Sequence, residues 1–197
     1  MIAHIPGTRC FGDDDELYGR YHDEEWGRPV HGEAALLERI ALEGFQAGLS
    51  WLIVLRKRDA FREVFHGFDP VQVARLDEYD VERLLHDRRI IRNRAKIEAT
   101  IANAHAVLAL QAGGGTLEEV FWSFTPAEHA APATFADVPA VTPESKEMAR
   151  ELKKLGFRFF GPTTAYAAMQ ACGLVNDHLI TCPVRAKVPS PEGVVRP

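Results

Sequence analysis

Apolar side chains recur at intervals of three and four along most of the chain, and no run alternates with the period of two that a half-buried strand needs. Over residues 33–49, Leu36, Leu37, Ile40 and Leu42 fall at helical spacing, with Glu33, Glu38 and Arg39 on the other side. Gly48 and Ser50 punctuate that helix, and Ser50 can cap a second one through Trp51, Leu52, Val54 and Leu55. Asp69-Pro70 pairs a capping side chain with a proline at the first helical position, so a helix of one or two turns follows. Another runs from Tyr79 or Asp80 through Leu85. The repeat of Ile, Ala and Leu over residues 91–111 predicts the longest helix, ended by Gly113, Gly114 and Gly115. Thr116 caps a short helix through Val120, Phe121 and Phe124. Residues 126–143 read as an irregular connection, Thr142-Pro143 opens a helix toward Leu155, and a last helix runs from Thr163 to about Ala171. No fixed-period repeat is present. The fold class expected is all-α.

Composition adds bounds. At 197 residues with 46% hydrophobic and 26% charged side chains, the chain is an ordinary globular one, long enough for a large core. Apolar runs such as residues 51–55 fall far short of the roughly 20 residues of a membrane span, and no signal-like segment opens the chain. A cytoplasmic, membrane-free protein is expected. Residues 183–197, with four prolines and little apolar content, are expected to form a flexible tail beyond a single domain over residues 1–182.

The net charge of −5 counts against a nucleic-acid partner, but its distribution does not. Acidic groups crowd residues 13–25, whereas Arg88, Arg89, Arg92, Arg94 and Lys96 form one basic cluster. Lys146, Arg150, Lys153, Lys154 and Arg158 form another, and local patches can bind a phosphate backbone. Either cluster can equally be a solvated helix face. In the second, Lys153, Lys154 and Arg158 flank a tight turn with Gly156 and Gly161, and Thr163 stands at the next helix start. Exposed amides there can hold a DNA phosphate. An ordinary helical hairpin with a basic face is the alternative.

Three cysteines cannot all pair, and a reducing compartment keeps them as thiols. Cys10 and His22 lie near one end of the chain and His178 and Cys182 near the other. If residues 178–182 are helical, the imidazole and thiolate at i and i+4 share a face, and two thiolates with two imidazoles suit a structural zinc. The competing reading is a hydrogen-bonded histidine and unrelated thiols. Cys172 lies in an apolar stretch and reads as core.

Tyr18, Tyr21, Trp26, Phe45 and Trp51 surround Glu43 and Gln46 in the first third of the chain. Flat rings and one polar group are what a flipped base needs, and a carboxylate favours a cationic base most. The rings can equally fill a core. Glu43 has apolar neighbours, so it is either on an exposed rim or a working group.

Together, YHDEEWG (residues 21–27), LEGFQAGLSW (42–51), FDPVQVA (68–74), RIIRNRAKI (89–97), VFWSF (120–124), the glycine turn and MQACGLVNDH (169–178) resemble the 3-methyladenine DNA glycosylase I family of the helix-hairpin-helix superfamily. The resemblance runs from about residue 9 to 182. It implies an all-α helix-hairpin-helix fold of two closely packed lobes whose terminal segments are tied by structural Zn2+ on Cys10, His22, His178 and Cys182. It implies a base pocket with Glu43 as the catalytic and base-reading group and Tyr21 and Trp51 as stacking rings. The hairpin over residues 155–164 would bring Lys153, Lys154, Arg158, Gly161 and Thr163 to DNA. The activity implied is monofunctional excision of 3-methyladenine from alkylated double-stranded DNA by a monomer. The family works without the catalytic aspartate of related glycosylases, and Asp177, beside His178, lies near that place. One departure concerns the pocket. Where the family has Cys-Gly-Trp, this chain has Cys10-Phe11-Gly12, which makes Phe11 the candidate replacement for the tryptophan ring.

Overall fold

The structure is a computed structural model and describes residues 9–189. Among these there are nine α-helices and no strand: α1 (Glu16–Glu24), α2 (Glu33–Gln46), α3 (Trp51–Val64), α4 (Pro70–Val73), α5 (Glu78–His86), α6 (Arg94–Ala112), α7 (Leu117–Trp122), α8 (Pro143–Lys154) and α9 (Pro162–Ala171). Three 3₁₀ turns sit at His66–Phe68, Phe135–Asp137 and Arg185–Lys187. No helix is long and apolar enough to cross a membrane among the described residues.

Local chemistry explains most of the boundaries. The Asp69 carboxylate accepts from the Gln72 amide and starts α4, with Pro70 at its first position. Thr116 with Glu119 and Thr142 with Ser145 form reciprocal caps at the starts of α7 and α8. Three points stand out against the expectation. The longest helix starts at Arg94 because the Asn93 side chain caps it, accepting from the Lys96 amide. Ser50 precedes α3 but makes no side-chain cap bond. Helix α1 has no counterpart in the sequence reading. The acidic run that masked it supplies its cap, with Asp15 accepting from the Tyr18 amide and Glu16 in the first turn near the positive end of the helix dipole.

Helix α2 is the centre of the molecule, packed by α3, α6, α7 and α9. Residues 36–45 are buried all round, so Glu38 and Arg39 do not form the polar side expected of them. They are paired instead. Arg62 of α3 grips Glu38 bidentately at 2.8–3.1 Å, and Arg39 donates to Glu25, which Arg58 also holds. The C-terminal carbonyls of α2 are satisfied by a buried lysine, Lys96 of α6, whose Nζ donates to Phe45 and Ala47 at 3.0 and 2.8 Å. Phe45, Phe61, Phe65 and Phe68 stack into the core beside it, so Phe45 is a core ring. Cys172 is fully buried there, as expected. Only glycine fits at 173: with φ +82°, an added Cβ would stand 2.7 Å from the backbone of Arg28.

Residues 183–189 do not form the flexible tail expected of them. Val184 and Val188 are buried with Leu179, Cys10 and Cys182 in a small second core, and the Arg185 guanidinium donates to the carbonyls of Asn176 and His178. A few apolar residues suffice because they cover one compact cluster. Residues 190–197 lie outside the described residues.

Candidate active site and metal cluster

A cavity of about 240 Å³ opens between α1, the end of α2, the start of α3, α9 and the connection between α7 and α8. That is below the roughly 300–1,000 Å³ of drug-sized sites and on the scale of one base. Phe11, Tyr18, Tyr21, Trp26 and Trp51 line it with Glu43 and Gln46. Tyr21 and Trp51 face one another with ring centroids 5.4 Å apart. Phe11 packs on Tyr18 at 4.8 Å and edge-on to Trp26 at 5.0 Å, which puts its ring in the wall.

Glu43 lies in the last turn of α2, and only 6% of it is exposed. Its carboxylate makes no hydrogen bond among the described residues. Burial pushes its carboxyl up to about 8, even though the Arg39 guanidinium one turn earlier favours the ionised form. Trp51 Nε1 is buried without a partner as well. The cavity wall thus holds an acceptor that the fold leaves unspent, against the rule that buried polar groups are paired.

Behind the rings, Arg39 lies 5.9 Å from the centroid of Tyr21. Burial holds the Tyr21 phenol neutral, well above its ordinary range.

The cavity has a further wall that the sequence did not reveal: Phe135 and Val138 from the connection, and Ala167 and Gln170 from α9. The connection carries no helical period, and nothing local in it signals a pocket. Asp177 fastens this wall. It is 1% exposed and accepts three hydrogen bonds of 2.7 Å, from His129 Nε2, Tyr166 Oη and Gln170 Nε2. Burial raises its carboxyl, but the three donors outweigh that and hold it below the usual range. Asp177 does not line the cavity, and its oxygens are occupied. It is an anchor.

On the far side of Phe11, Cys10, His22, His178 and Cys182 converge, all buried, with their ligand atoms within 4.8 Å of one another. His22 Nε2 and His178 Nδ1 are 3.1 Å apart, and the sulfur-to-nitrogen distances run from 3.6 to 3.8 Å. A tetrahedron built on zinc–nitrogen and zinc–sulfur bonds of about 2.0 and 2.3 Å has edges of about 3.3–3.8 Å; these four separations suit that ion, and the widest, 4.8 Å, would close by about an ångström around it. The outer groups fit too. His22 Nδ1 meets Asp23 at 2.8 Å, Arg9 clamps Asp23, and His178 Nε2 meets the Trp26 carbonyl at 3.1 Å. Residues 178–182 are a turn and not a helix, with Cys182 N donating to Leu179 O, so the i, i+4 argument reached the right pair by the wrong geometry.

Helices α8 and α9 pack together through a tight turn. Gly156 takes φ +98°, Phe157 and Phe160 are buried, and Asn103 of α6 clasps the Arg158 backbone through both its N–H and carbonyl. Gly161 caps α9 without a side chain, and Gly161, Pro162 and Thr163 are exposed, leaving the helix N-terminus open. Lys153 and Arg158 make no ion pair among the described residues, whereas Lys154 is engaged by Glu151. In the other basic cluster three of the five residues are engaged, while Arg88 and Arg92 are exposed and make no ion pair among the described residues. Arg89 pairs with Asp87 and Glu63, Arg94 pairs with Glu78, Glu82 and Glu98, and Lys96 is buried.

The fold and the site define an all-helical protein with an aromatic, base-sized cavity, a buried acid in its wall and an exposed helix start flanked by unpaired basic side chains. The chain belongs to the methyladenine glycosylase family, whose sequence model matches residues 11–186. It is 48% identical over 170 residues to DNA-3-methyladenine glycosylase 1 of Escherichia coli, covering 85% of this chain and 91% of that one. A crystal structure of a 3-methyladenine DNA glycosylase I superposes with a TM-score of 0.86 at 47% identity, over 89% of this chain and 98% of the other. A tyrosine-to-phenylalanine variant of a 3-methyladenine DNA glycosylase I, solved in complex with 3-methyladenine, matches at a TM-score of 0.84 and 33% identity, over 89% of this chain and 96% of the other.

Proposed function

We propose that this protein is a DNA-repair glycosylase that hydrolyses the N-glycosidic bond of 3-methyladenine in alkylated duplex DNA, leaving an abasic site. The observation that carries this reading is Glu43: a buried carboxylate without a partner, walled by aromatic rings in a cavity of one base's size. Alkylation at N3 gives the base a positive charge and weakens its bond to the sugar. The protein's task is then to extrude the nucleotide and capture the base. Tyr21 and Trp51 stack on it with Phe11 at the wall, and the Glu43 carboxylate accepts from its edge. That charge-assisted bond and the ring faces favour a cation over neutral adenine, which gives selection without a strong general base.

The α8–turn–α9 unit is read as a helix-hairpin-helix element. Its open N-terminus at Gly161 and Thr163, with Lys153, Lys154 and Arg158, holds the DNA backbone. Cys10, His22, His178 and Cys182 hold a structural zinc. With four protein ligands it supplies no chemistry, and clips the first described residues to the last. The protein acts as a monomer.

The test is release of free bases from methylated duplex DNA. Appearance of 3-methyladenine is expected; folded protein that binds this DNA and releases no base would overturn the reading in favour of a non-catalytic binding module. Replacing Lys153 and Arg158 together by alanine is expected to reduce the slope of log affinity against log salt by about 2 and weaken binding equally on all sequences. A titration of DNA affinity at several salt concentrations checks this.

A further inference from the structure

We propose that Gln170 is a specificity-determining residue of the base pocket: Asp177 holds its amide so that Oε1 faces the cavity and accepts from the 6-amino group of the bound purine. The proposal rests on the glycosylase reading above and concerns which methylated purine that pocket prefers.

A glutamine amide can present either a donor or an acceptor, and its neighbours decide which. Gln170 lies in the last turn of α9 and lines the cavity beside Ala167. Its Nε2 is committed, donating to Asp177 Oδ2 at 2.7 Å. Turning the amide over would set Oε1 against that same oxygen, which offers no proton. Tyr166 Oη already donates to Oδ2 and His129 holds Oδ1, so the carboxylate itself is fixed from three sides. Oε1 makes no hydrogen bond among the described residues. Of the amide's two polar ends, this is the one with no partner and so the one free to meet a ligand.

The cavity therefore offers two acceptors, Glu43 and Gln170 Oε1. The amino group of an adenine carries two N–H donors, enough for both. A guanine carries a carbonyl oxygen at the same ring position, so its lone pairs would meet those of Gln170. A buried polar group left unpaired, or facing its own kind, discriminates more strongly than a change of size. On this account Gln170 separates 3-methyladenine from 3-methylguanine, while Glu43 separates charged bases from neutral ones.

The experiment measures release of both bases from one preparation of methylated duplex DNA by native protein, Gln170→Met, Gln170→Leu and Tyr166→Phe. Two apolar replacements are used so that a packing fault peculiar to one does not decide the result, and near-ultraviolet circular dichroism and melting establish the fold of each. With Gln170→Met or Gln170→Leu, kcat/KM for 3-methyladenine is expected to fall about 10-fold and its preference over 3-methylguanine to narrow by at least that factor. Tyr166→Phe removes one donor to Asp177, but His129 on Oδ1 and Gln170 on Oδ2 still hold the carboxylate and the amide in place, so the preference should stay native. Folded Gln170 variants with native preference would overturn the assignment. So would a Tyr166→Phe variant that shifts preference as much as they do, since that is the mark of a merely structural effect. A native protein that releases no 3-methyladenine would overturn the glycosylase reading and this assignment with it.

Discussion

Exchanging Glu43 for glutamine is expected to make the free protein more stable and a poorer enzyme at once. Burial holds the Glu43 carboxyl up to about 8, against an ordinary value of 4.5. Between those two values the native state binds more protons than the unfolded chain, so stability falls as pH rises through that window. The destabilisation is absent below the lower value and complete above the upper one. Glutamine, always neutral, escapes it. At pH 9 the variant should be more stable by on the order of 4 kcal/mol, and near pH 4 the two proteins should differ little. Denaturant unfolding across pH measures this directly; an advantage that does not grow with pH would show that Glu43 carries no buried charge.

Activity should move the other way. The base is captured by the ionised form, so kcat/KM of the native protein is expected to rise with pH and level off above about 8. In Glu43→Gln that rise disappears, and kcat/KM for 3-methyladenine falls about 10- to 100-fold, the difference between a charge-assisted hydrogen bond and a neutral one. A variant with native rates would keep the enzyme and remove Glu43 from base recognition.

Removal of the metal is the second large effect expected. Purified protein should carry one zinc ion per chain, and stripping it with a strong chelator should cost several kcal/mol and lower Tm by about 10 °C or more. Four buried ligand side chains that lose their shared cation are left without compensation for the water they gave up. Burial holds the Cys10 thiol in its protonated form, so zinc uptake would expel protons and its affinity would weaken as pH falls. Chelation at pH 6 should therefore be faster and more complete than at pH 8. Base release should follow the folded fraction, because an ion held by four protein ligands would have no open position for chemistry. Metal-free protein of unchanged Tm would remove the structural role; loss of turnover in stripped but fully folded protein would make the metal catalytic.

Much of this architecture is legible in the sequence where the deciding chemistry is local. Asp69 before Pro70, Thr116 three residues before Glu119 and Thr142 before Pro143 each announce a helix start by themselves, and the structure has all three. Legibility fails where the partner is distant in sequence. Glu38 and Arg39 read as a polar side, but Arg62 and Glu25 from other elements pair with them inside the molecule. The run of acids before α1 reads as a charge stretch because a cap and a solvated cluster look alike in one dimension. At the site, Tyr21, Glu43 and Trp51 come together much as their clustering suggested; residue type and spacing had singled out both cysteine–histidine pairs, and the family resemblance picked out Phe11. The opposite wall is invisible beforehand. Phe135 and Val138 come from a stretch of small residues and prolines, and Gln170 is indistinguishable from any polar residue on a helix until Asp177 is seen to hold it.

The cysteine–histidine cluster also orders events in time. Cys10 meets His178 across a separation of 168 residues, and the ring of Phe11, next to Cys10, forms part of the base-sized cavity. A growing chain on the ribosome can fold α2 and its neighbours early, yet it cannot fasten Cys10 until residues 178–182 have been made. The pocket wall that Phe11 forms thus waits on residues 178–182. A product that ends before residue 178, however well its helices form, is expected to lack that wall and to capture no base.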